Sequence, residues 1–85
     1  MTDEKINYEI NLAIGTWLKE HREQHGISQR EMARRLNLTN PALHFMETGE
    51  TQIKATMMID YCLAMNEDPA MCLKESLQRC HKKEN

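Results

Sequence analysis

The stretch SQREMARRLNLTNPALHFMETG, residues 28–49, contains the helix signals that decide the fold. At its start, Ser28 is followed three residues later by Glu31, which is the spacing of a capping box. In a capping box the two side chains bond backbone N–H groups that have no partner within the first turn of a helix. Apolar residues at helical spacing continue the pattern, so we expect a short helix that ends at about Leu36.

A second helix follows in the same stretch after a very short connection. Asn37 and Leu38 form the predicted turn, because Thr39 is a strong N-cap residue. Gly49 is the residue type that most often ends a helix, and the helix before it is predicted over about residues 40–47. Two short helices joined by a turn of two or three residues constitute a helix-turn-helix arrangement.

Three further helices are predicted on either side of this pair. A first helix is predicted over about residues 7–25 by an apolar face at spacings of three and four, formed by Ile6, Ile10, Ile14, Trp17, Leu18 and His21. After the pair, helices are predicted over about residues 54–65 and 69–81, the latter with Pro69 at its first position. Residues 82–85 are polar and are expected to fray.

Length and composition favour one helical domain over residues 1–85. A chain of 85 residues encloses a modest core, so idealised helix packing or oligomerisation is the usual source of its stability. Three cysteines without a C-x-x-C pair fit a reducing compartment, and a cytoplasmic location is expected. No apolar run approaches the ~20 residues needed to span a bilayer, and no targeting segment is recognisable.

The predicted pair of helices resembles the Cro/C1 (XRE) type of phage and bacterial repressors. Gln29, Ala33 and the Glu47-x-Gly49 pair stand together at the spacing of that family, and the resemblance extends over roughly residues 14–73. Ala33 also has a physical reason, because two helices that cross over a tight turn come too close for a larger side chain. The resemblance implies an all-α, five-helix, lambda-repressor-like helix-turn-helix domain that binds double-stranded DNA and regulates transcription.

The resemblance also implies a structural ion pair. In this family an arginine late in the first helix pairs with the glutamate just before the glycine, and the matching residues here are Arg22 and Glu47. Removing one partner of a buried pair costs about 3–5 kcal/mol, because the other charge is left uncompensated. The pair is therefore expected to stabilise the architecture.

Docking geometry indicates which residues would contact DNA. In helix-turn-helix proteins the second helix of the pair enters the major groove with its N-terminal part, while the start of the first helix lies on the phosphate backbone. The expected backbone contacts are Gln29, Arg30 and Arg34. The residues expected on the groove-facing side of the second helix are Thr39, Asn40, Pro41, Ala42, His44 and Phe45.

Individual contacts follow from side-chain chemistry. Asn40 can form two hydrogen bonds with an adenine, and His44 can donate to guanine or to a phosphate. Pro41 and Phe45 offer apolar contact to a thymine methyl group. Although the whole chain has a net charge of −2, residues 19–46 hold five basic against three acidic residues and thus carry plus two. This local charge is compatible with phosphate binding.

Two other functions remain open from the sequence. The family often has Gln, Ser, Arg or Lys on the groove-facing side and basic residues after the glycine, whereas this chain has Phe45 and Glu50 there. The main alternative is therefore a protein-interaction module, such as an antitoxin or antirepressor, that binds a protein partner with the same surface. A ligand- or redox-responsive regulator is a third alternative, although the chain offers little room for a sensor.

The last two predicted helices indicate a homodimer. From residue 55 to 65 every residue except Thr56 and Asp60 is apolar, and a helix that is apolar all round has to be buried all round. A second subunit would provide the cover, through an interface formed by Met57, Tyr61, Met71, Leu73, Leu77 and Cys80. A two-fold dimer places its two DNA-contacting helices about 34 Å apart, which is one turn of DNA, so its operator is expected to be nearly palindromic. The protein is expected to act there as a repressor.

No cofactor, metal site or enzyme activity is expected. His21 and His25 stand four residues apart, a spacing that can hold a metal, but the neighbouring acidic residues do not complete a known motif. The sequence contains no nucleophile with a base at a motif spacing and no glycine-rich phosphate loop. Cys80 is left as a candidate for redox control across the dimer interface.

Overall fold

The fold consists of α-helices connected by short turns. The computed structural model describes the backbone of residues 2–84 and the side chains of residues 8–80. This part of the chain contains no β-strand, and its helices are α1 (Thr2–Gln24), α2 (Gln29–Leu36), α3 (Asn40–Thr48), α4 (Ala55–Ala64) and α5 (Pro69–Glu84). The predicted all-α, five-helix class is confirmed. Given their lengths and polarity, none of the described helices could span a lipid bilayer.

Helix boundaries agree with the sequence signals except at the two ends of the chain. The three middle helices begin and end within one residue of their predicted limits. α1 begins at Thr2 instead of about residue 7, because the apolar spacing that predicts it starts only at Ile6. α5 is helical to Glu84, and the frayed tail expected over residues 82–85 lies outside the residues whose side chains are described.

Both N-caps predicted from the sequence are formed. The Ser28 hydroxyl accepts a hydrogen bond from the Glu31 N–H at 3.0 Å, and the Thr39 hydroxyl accepts one from the Ala42 N–H at 3.1 Å. Each bond satisfies a backbone donor that has no partner within its own helix. These two caps fix the points at which α2 and α3 begin.

The turn between α2 and α3 is tight because Asn37 adopts a left-handed backbone conformation. Its φ is 58°, its N–H bonds the Arg34 carbonyl at 3.2 Å, and the next N–H, of Leu38, bonds the Ala33 carbonyl at 2.8 Å. This pair of bonds satisfies the last carbonyls of α2. Asparagine tolerates the left-handed region better than most side chains do. Gly49, with a φ of 82°, ends α3 in the same region.

The core lies where α1 crosses the other helices. α1 packs against α3, α4 and α5, and α2 packs against α3 and α4. The fully buried side chains come from all five helices and are Trp17, Leu18, Met32, Leu43, Tyr61, Cys62, Cys72 and Ser76. The indole N–H of Trp17 donates to Glu75 at 2.7 Å, so the largest of these side chains keeps its hydrogen bond despite burial.

A glycine allows the closest approach of α1 to α3. A Cβ atom at Gly15 would lie 2.6 Å from the Met46 carbonyl oxygen and 3.1 Å from the Glu47 carbonyl oxygen. Both neighbours are backbone atoms of α3, which cannot move aside as a flexible side chain could. Gly15 therefore sets the depth at which α3 rests on α1.

Cys62 and Cys72 are both buried where α4 meets α5. Their thiols are hydrogen-bonded to each other, and this bond, together with burial, raises the pKa of the Cys62 thiol. The two sulfur atoms therefore belong to the core of the subunit. Cys80, two turns further along α5, is half-buried.

Within one subunit α4 is buried on one side only. Met58 and Cys62 face the core, whereas Ile59 and Leu63 are 39% and 61% exposed. On α5 an exposed apolar set continues with Met71, Leu73 and Leu77. The five helices thus leave apolar surface uncovered on α4 and α5.

The residues expected in the dimer interface differ in how far their side chains are exposed. Met71, Leu73 and Leu77 are exposed, and Met57 and Cys80 are half-buried. Tyr61 does not fit the expectation, because its side chain is fully buried in the subunit and its hydroxyl donates to Glu47. Apolar spacing does not distinguish a tyrosine with an internal hydrogen-bond partner from a tyrosine at a subunit surface.

Candidate nucleic-acid interface

The outer side of α3 is accessible along its length. Its exposed side chains, which recur at positions i and i+4 of the helix, are Asn40, Pro41, His44 and Phe45. Thr39 is exposed at the N-cap position, and Ala42 is half-buried. All six residues expected on the groove-facing side are therefore at least partly accessible.

The opposite side of α3 anchors the helix. Leu43 and Met46 are buried in the core, and Glu47 is buried beside them. Pro41 lies in the first turn, where its missing N–H removes no bond within the helix. The sequence of α3 thus combines a fixed inner side with an outer side that the subunit leaves uncovered.

The predicted ion pair between Arg22 and Glu47 is confirmed, and it lies in the core. Nε of Arg22 donates to the carboxylate at 2.8 Å and Nη2 donates at 3.1 Å, so the guanidinium binds both oxygens. The two residues are 5% and 3% exposed. A charge-assisted pair with two bonds compensates much of the desolvation that burial imposes on each ion.

The Glu47 carboxylate has two further donors, the Tyr61 hydroxyl and the Gln29 side-chain amide, the latter at 3.2 Å. Burial alone would raise the pKa of Glu47, but the bonds from Arg22, Tyr61 and Gln29 outweigh it, and this pKa lies below its ordinary value. Burial and the bond to Glu47 raise the pKa of Tyr61, so its hydroxyl keeps the proton that it donates. Glu47 is therefore a buried anion that connects α1, α2, α3 and α4.

Gln29 has an internal partner that the sequence did not indicate. The family resemblance places this residue on a DNA phosphate, whereas its amide here donates to Glu47 and the residue is half-buried. The Arg22 guanidinium, bonded to the same carboxylate, also donates to the Ile27 carbonyl at 2.6 Å, just before the start of α2. Gln29 and Arg22 together position the first turn of α2 against α3.

The arginines of α2 differ in how they are held. Arg34 donates to Glu31 at 3.0 and 2.6 Å, and Arg35 donates to the same carboxylate at 3.0 Å. Arg35 also donates to the Ala64 carbonyl at the end of α4, at 2.9 Å. Arg30 is exposed. Arg35 therefore braces α2 on α4, whereas Arg34 is bound only to a neighbouring surface carboxylate.

Glu31 explains why the predicted capping box is only half formed. Its N–H bonds the Ser28 hydroxyl as expected, but its carboxylate is bonded by the guanidinium groups of Arg34 and Arg35. Hydrogen bonds from these two arginines lower the pKa of Glu31 to about 2. Two cationic donors at i+3 and i+4 attract the carboxylate more strongly than one neutral backbone N–H does.

The loop after α3 exposes one acidic and one basic residue, Glu50 and Lys54, and is held by α1. Glu50 is exposed at the start of the loop. The side chain of Asn11 donates to the Gly49 carbonyl at 3.3 Å and to the Thr51 carbonyl at 2.9 Å, and it accepts from the Ile53 N–H at 2.7 Å. Asn11 belongs to no motif, so only the folded arrangement reveals that it fixes this loop.

The two histidines at metal spacing face a carboxylate. Nε2 of His25 lies 2.7 Å from Glu67, and Nδ1 of His21 lies 3.3 Å from it. His21 also stacks on Trp17, with ring centroids 3.6 Å apart. The hydrogen bond from His25 lowers the pKa of Glu67. This cluster joins the C-terminal half of α1 to the turn before α5 and thus supports the fold.

A shallow groove lies between α1 and α5. It has a volume of about 160 Å³ and is lined by Glu9, Leu12, Ala13, Thr16, Arg79 and Cys80. Small-molecule sites commonly have volumes of about 300–1,000 Å³. This groove gives no support to a regulator that senses a ligand of ordinary size.

Two short helices with a tight turn between them, the second accessible along its outer side, define a helix-turn-helix protein. The chain matches the helix-turn-helix family model HTH_3 over residues 18–71. It belongs to this family, whose Cro/C1 (XRE) type its sequence resembles. The protein is thus a helix-turn-helix regulator of the class that binds double-stranded DNA.

Solved structures with the same fold include two of the clp gene regulator ClgR from Corynebacterium glutamicum. One has a TM-score of 0.78 at 23% sequence identity and covers 82% of this chain and 91% of the ClgR chain. The other has a TM-score of 0.76 at 23% identity and covers 87% of this chain and 84% of its own. At this identity the likeness concerns the fold. No curated protein has a significant match to the chain.

Proposed function

We propose that the protein is a sequence-specific transcription repressor that acts as a homodimer on a near-palindromic operator. The observation that carries this proposal is the exposure of Asn40 and His44 on a helix whose inner side is anchored through Glu47. An α3 whose outer side was packed against its own subunit could not enter a groove. A repressor of this kind occupies its operator and hinders polymerase in the cytoplasm, so it needs no cofactor.

The N-terminal half of α3 is the part proposed to enter the major groove. Asn40 would form two hydrogen bonds with an adenine, and Pro41 and Phe45 would contact a thymine methyl group. A good two-bond contact discriminates against the wrong base by about 1–3 kcal/mol. The Thr39 hydroxyl accepts a hydrogen bond from the Ala42 N–H, and its own proton would be available to donate to a DNA phosphate.

Backbone contacts are proposed for α2. Arg30 is exposed and Arg34 is held only by Glu31, so each guanidinium can turn towards a phosphate. Because the Gln29 amide is engaged with Glu47, this residue would contribute through the N-terminus of α2. The first N–H groups of a helix point outwards and carry partial positive charge, which suits a phosphate.

A second copy of the chain is proposed to cover the apolar patch on α4 and α5. This name is used here for the apolar side chains of α4 and α5 that are at least 39% exposed, namely Ile59, Leu63, Met71, Leu73 and Leu77. Patches of this kind often mark interaction surfaces. In a two-fold dimer the same patch serves both subunits, and the two copies of α3 then meet successive turns of DNA about 34 Å apart. Met57 and Cys80 would contribute only their accessible atoms.

Selection from a pool of random duplexes tests this proposal. We expect the protein to enrich one sequence with two-fold symmetry and half-sites about one helical turn apart. An asymmetric site would contradict the symmetric dimer, and a pool without enrichment would contradict sequence-specific binding. Repression is tested with a reporter whose promoter overlaps the selected site, where the protein should lower expression.

The salt dependence of binding tests the contacts assigned to α2. Each phosphate contact contributes about 0.9 to the slope of log affinity against log salt concentration. Arg30→Ala and Arg34→Ala should therefore each reduce the slope by about one. Lys74→Ala is the matched control, because it removes an exposed positive charge from α5. If neither arginine variant changes the slope, α2 does not lie on the phosphate backbone.

A protein-interaction module is a second candidate, and the chemistry of α3 favours it. α3 contains no lysine or arginine, and Phe45 is a large apolar side chain that is 42% exposed. Aromatic side chains are frequent anchors in protein–protein interfaces. If no random duplex binds even at low salt, this candidate replaces the repressor.

A further inference from the structure

His44 is the only residue of α3 that can bring positive charge to its exposed side. The helix, Asn40–Thr48, contains no lysine or arginine. Its one carboxylate, Glu47, is buried and bound by Arg22, so it does not act at the surface. The protonation state of His44 therefore decides whether the outer side of α3 is neutral or cationic.

The charged groups on the helices packed against α3 are mostly committed to one another. On α1, Arg22 is bound to Glu47. On α2, the carboxylate of Glu31 is bound by the two arginines that follow it, and Arg30 is exposed. None of these groups belongs to α3, so on that helix His44 is the residue that can add a positive charge to the outer side.

The loop after α3 adds a carboxylate near the end of this surface. Glu50 is exposed and accepts a hydrogen bond from the Thr48 hydroxyl at 3.1 Å. The imidazole of His44 lies beside the ring of Phe45, with centroids 5.8 Å apart and planes tilted by 56°. With His44 neutral, α3 itself provides no cation beside Glu50, and the other exposed charge of this loop is Lys54.

The two protonation states of a histidine differ in what they offer DNA. A neutral imidazole has one N–H donor and one acceptor, whereas the imidazolium ion has two donors and a positive charge. The groups of DNA that can accept a hydrogen bond from a histidine in the major groove or on the backbone include N7 and O6 of guanine and the phosphate oxygens. A surface that reads such groups therefore favours the protonated ring.

We infer that His44 couples DNA binding to the uptake of one proton, so that the protein holds its operator more tightly at pH 6 than at pH 8. The inference rests on the proposed function, because it requires that the outer side of α3 lies in the groove. It adds that the charge of the outer side of α3 depends on a single side chain. The contact is to a guanine edge or to a phosphate.

Fluorescence anisotropy with the full chain tests the coupling. The probes are a duplex recovered by the selection and a random-sequence duplex of the same length, each titrated at pH 6 and pH 8 at constant ionic strength. We expect wild-type affinity for the selected duplex to be about tenfold higher at pH 6.

Two variants assign the effect to its residue. His44→Gln keeps a hydrogen-bonding side chain but cannot become charged, so its affinity should change little between the two pH values. His25→Gln removes another histidine, one that bonds Glu67 away from α3, and should keep the wild-type pH dependence. Circular dichroism at both pH values verifies that each variant is folded.

The outcomes separate the inference from the proposed function. Equal pH dependence in wild type and His44→Gln would overturn the inference and leave the repressor intact. Absence of binding to every duplex at both pH values would overturn the two together. Replacing guanines of the selected site by 7-deazaguanine tests one of these acceptors, because loss of the pH dependence assigns the contact to N7 and retention assigns it to O6 of guanine or to a phosphate.

Discussion

At the scale of single residues, the Glu47 carboxylate connects four helices. It accepts from Arg22 on α1, Gln29 on α2 and Tyr61 on α4, while its own backbone belongs to α3. A buried anion with this many donors is stable only while all of them stay in place. The orientation of α2 and α3, on which DNA reading depends, is thereby linked to one side chain.

Glu47→Ala should lower the free energy of unfolding by about 3–5 kcal/mol, because Arg22 would remain buried without its counter-ion. Tyr61→Phe, which removes a single donor to a charged group, should lower it by about 1.5–3 kcal/mol. Urea unfolding measures both effects. Asp60→Ala removes an exposed carboxylate from α4 and serves as the control. A Glu47→Ala variant as stable as the control would contradict the role given to the buried network.

Acid should destabilise the fold through the same carboxylate. The pKa of Glu47 lies below its ordinary value in the folded protein, so the unfolded chain binds the proton more tightly. The contribution of Glu47 to stability is therefore complete above the unfolded pKa of about 4.3 and is lost as the pH falls through the folded pKa. Glu67, whose pKa is lowered by the bond from His25, acts in the same direction.

Urea midpoints measured between pH 3 and pH 7 test this dependence. The wild-type midpoint should be nearly constant from pH 7 to about pH 5 and should fall below that. Glu47→Gln should show a weaker dependence on pH over the acidic part of the range. A wild-type midpoint that stays constant to pH 3 would show that Glu47 titrates alike in the folded and unfolded chains.

Part of this residue network could be predicted from the sequence. The Arg22–Glu47 pair followed from the spacing shared with the family. The hydrogen bond from Tyr61 to Glu47 could not be predicted, because the apolar sequence of α4 gives no sign that its tyrosine hydroxyl has a buried partner. Glu31 was assigned to a capping box, and two arginines in its own helix compete with that role.

At the scale of elements, the contact between α1 and α3 depends on Gly15. Alanine normally stabilises a helix interior by about 1 kcal/mol relative to glycine. Here the added Cβ would lie 2.6 Å from the Met46 carbonyl oxygen, so the helices would have to separate. We expect Gly15→Ala to lower the thermal midpoint, with a net destabilisation of about 1–3 kcal/mol.

Gly26→Ala is the control for that substitution. Gly26 has a φ of 69° and no atom within 4 Å of an added Cβ, so only the backbone conformation penalises alanine there. That penalty is about 1–2 kcal/mol and should leave DNA binding unchanged. Gly15→Ala should instead weaken DNA binding as well, because it displaces α3. A more stable Gly15→Ala protein would contradict the close packing of α1 and α3.

The helices themselves could largely be predicted, because contacts between residues close in sequence determine where most of them begin and end. Ser28, Thr39 and Gly49 mark helix ends through hydrogen bonds within a few residues, so the limits of α2 and α3 are well predicted. Nothing comparable marks the start of α1, which was placed five residues too late. The close approach at Gly15 is a long-range property and leaves no local pattern.

At the scale of the whole molecule, the exposed apolar residues of α4 and α5 support the proposed dimer. Leu63→Glu and Leu77→Glu each place a charge where the second subunit is proposed to lie. We expect both variants to sediment as monomers and to bind the selected palindromic duplex about 100-fold or more weakly, because the two half-sites are no longer linked. Tyr8→Glu changes an exposed residue of α1 outside the patch and serves as the control.

Analytical ultracentrifugation and anisotropy provide the two measurements. If the wild-type protein sediments as a monomer and the leucine variants bind DNA as it does, the patch has no part in dimerisation. The sequence indicated this surface because every residue from 55 to 65 except Thr56 and Asp60 is apolar. It could not show which apolar residues the subunit covers itself, and Tyr61 was misplaced for that reason.

Asn11 holds the loop after α3 through hydrogen bonds to its backbone and not to the side chains that the loop exposes. Its amide ties the backbone over residues 49–53 to α1, while Glu50 and Gln52 are exposed and make no part of that attachment. Both could be exchanged for lysine without rerouting the chain, provided that the asparagine is kept. The backbone of this loop can therefore stay in place while the charge at its surface changes.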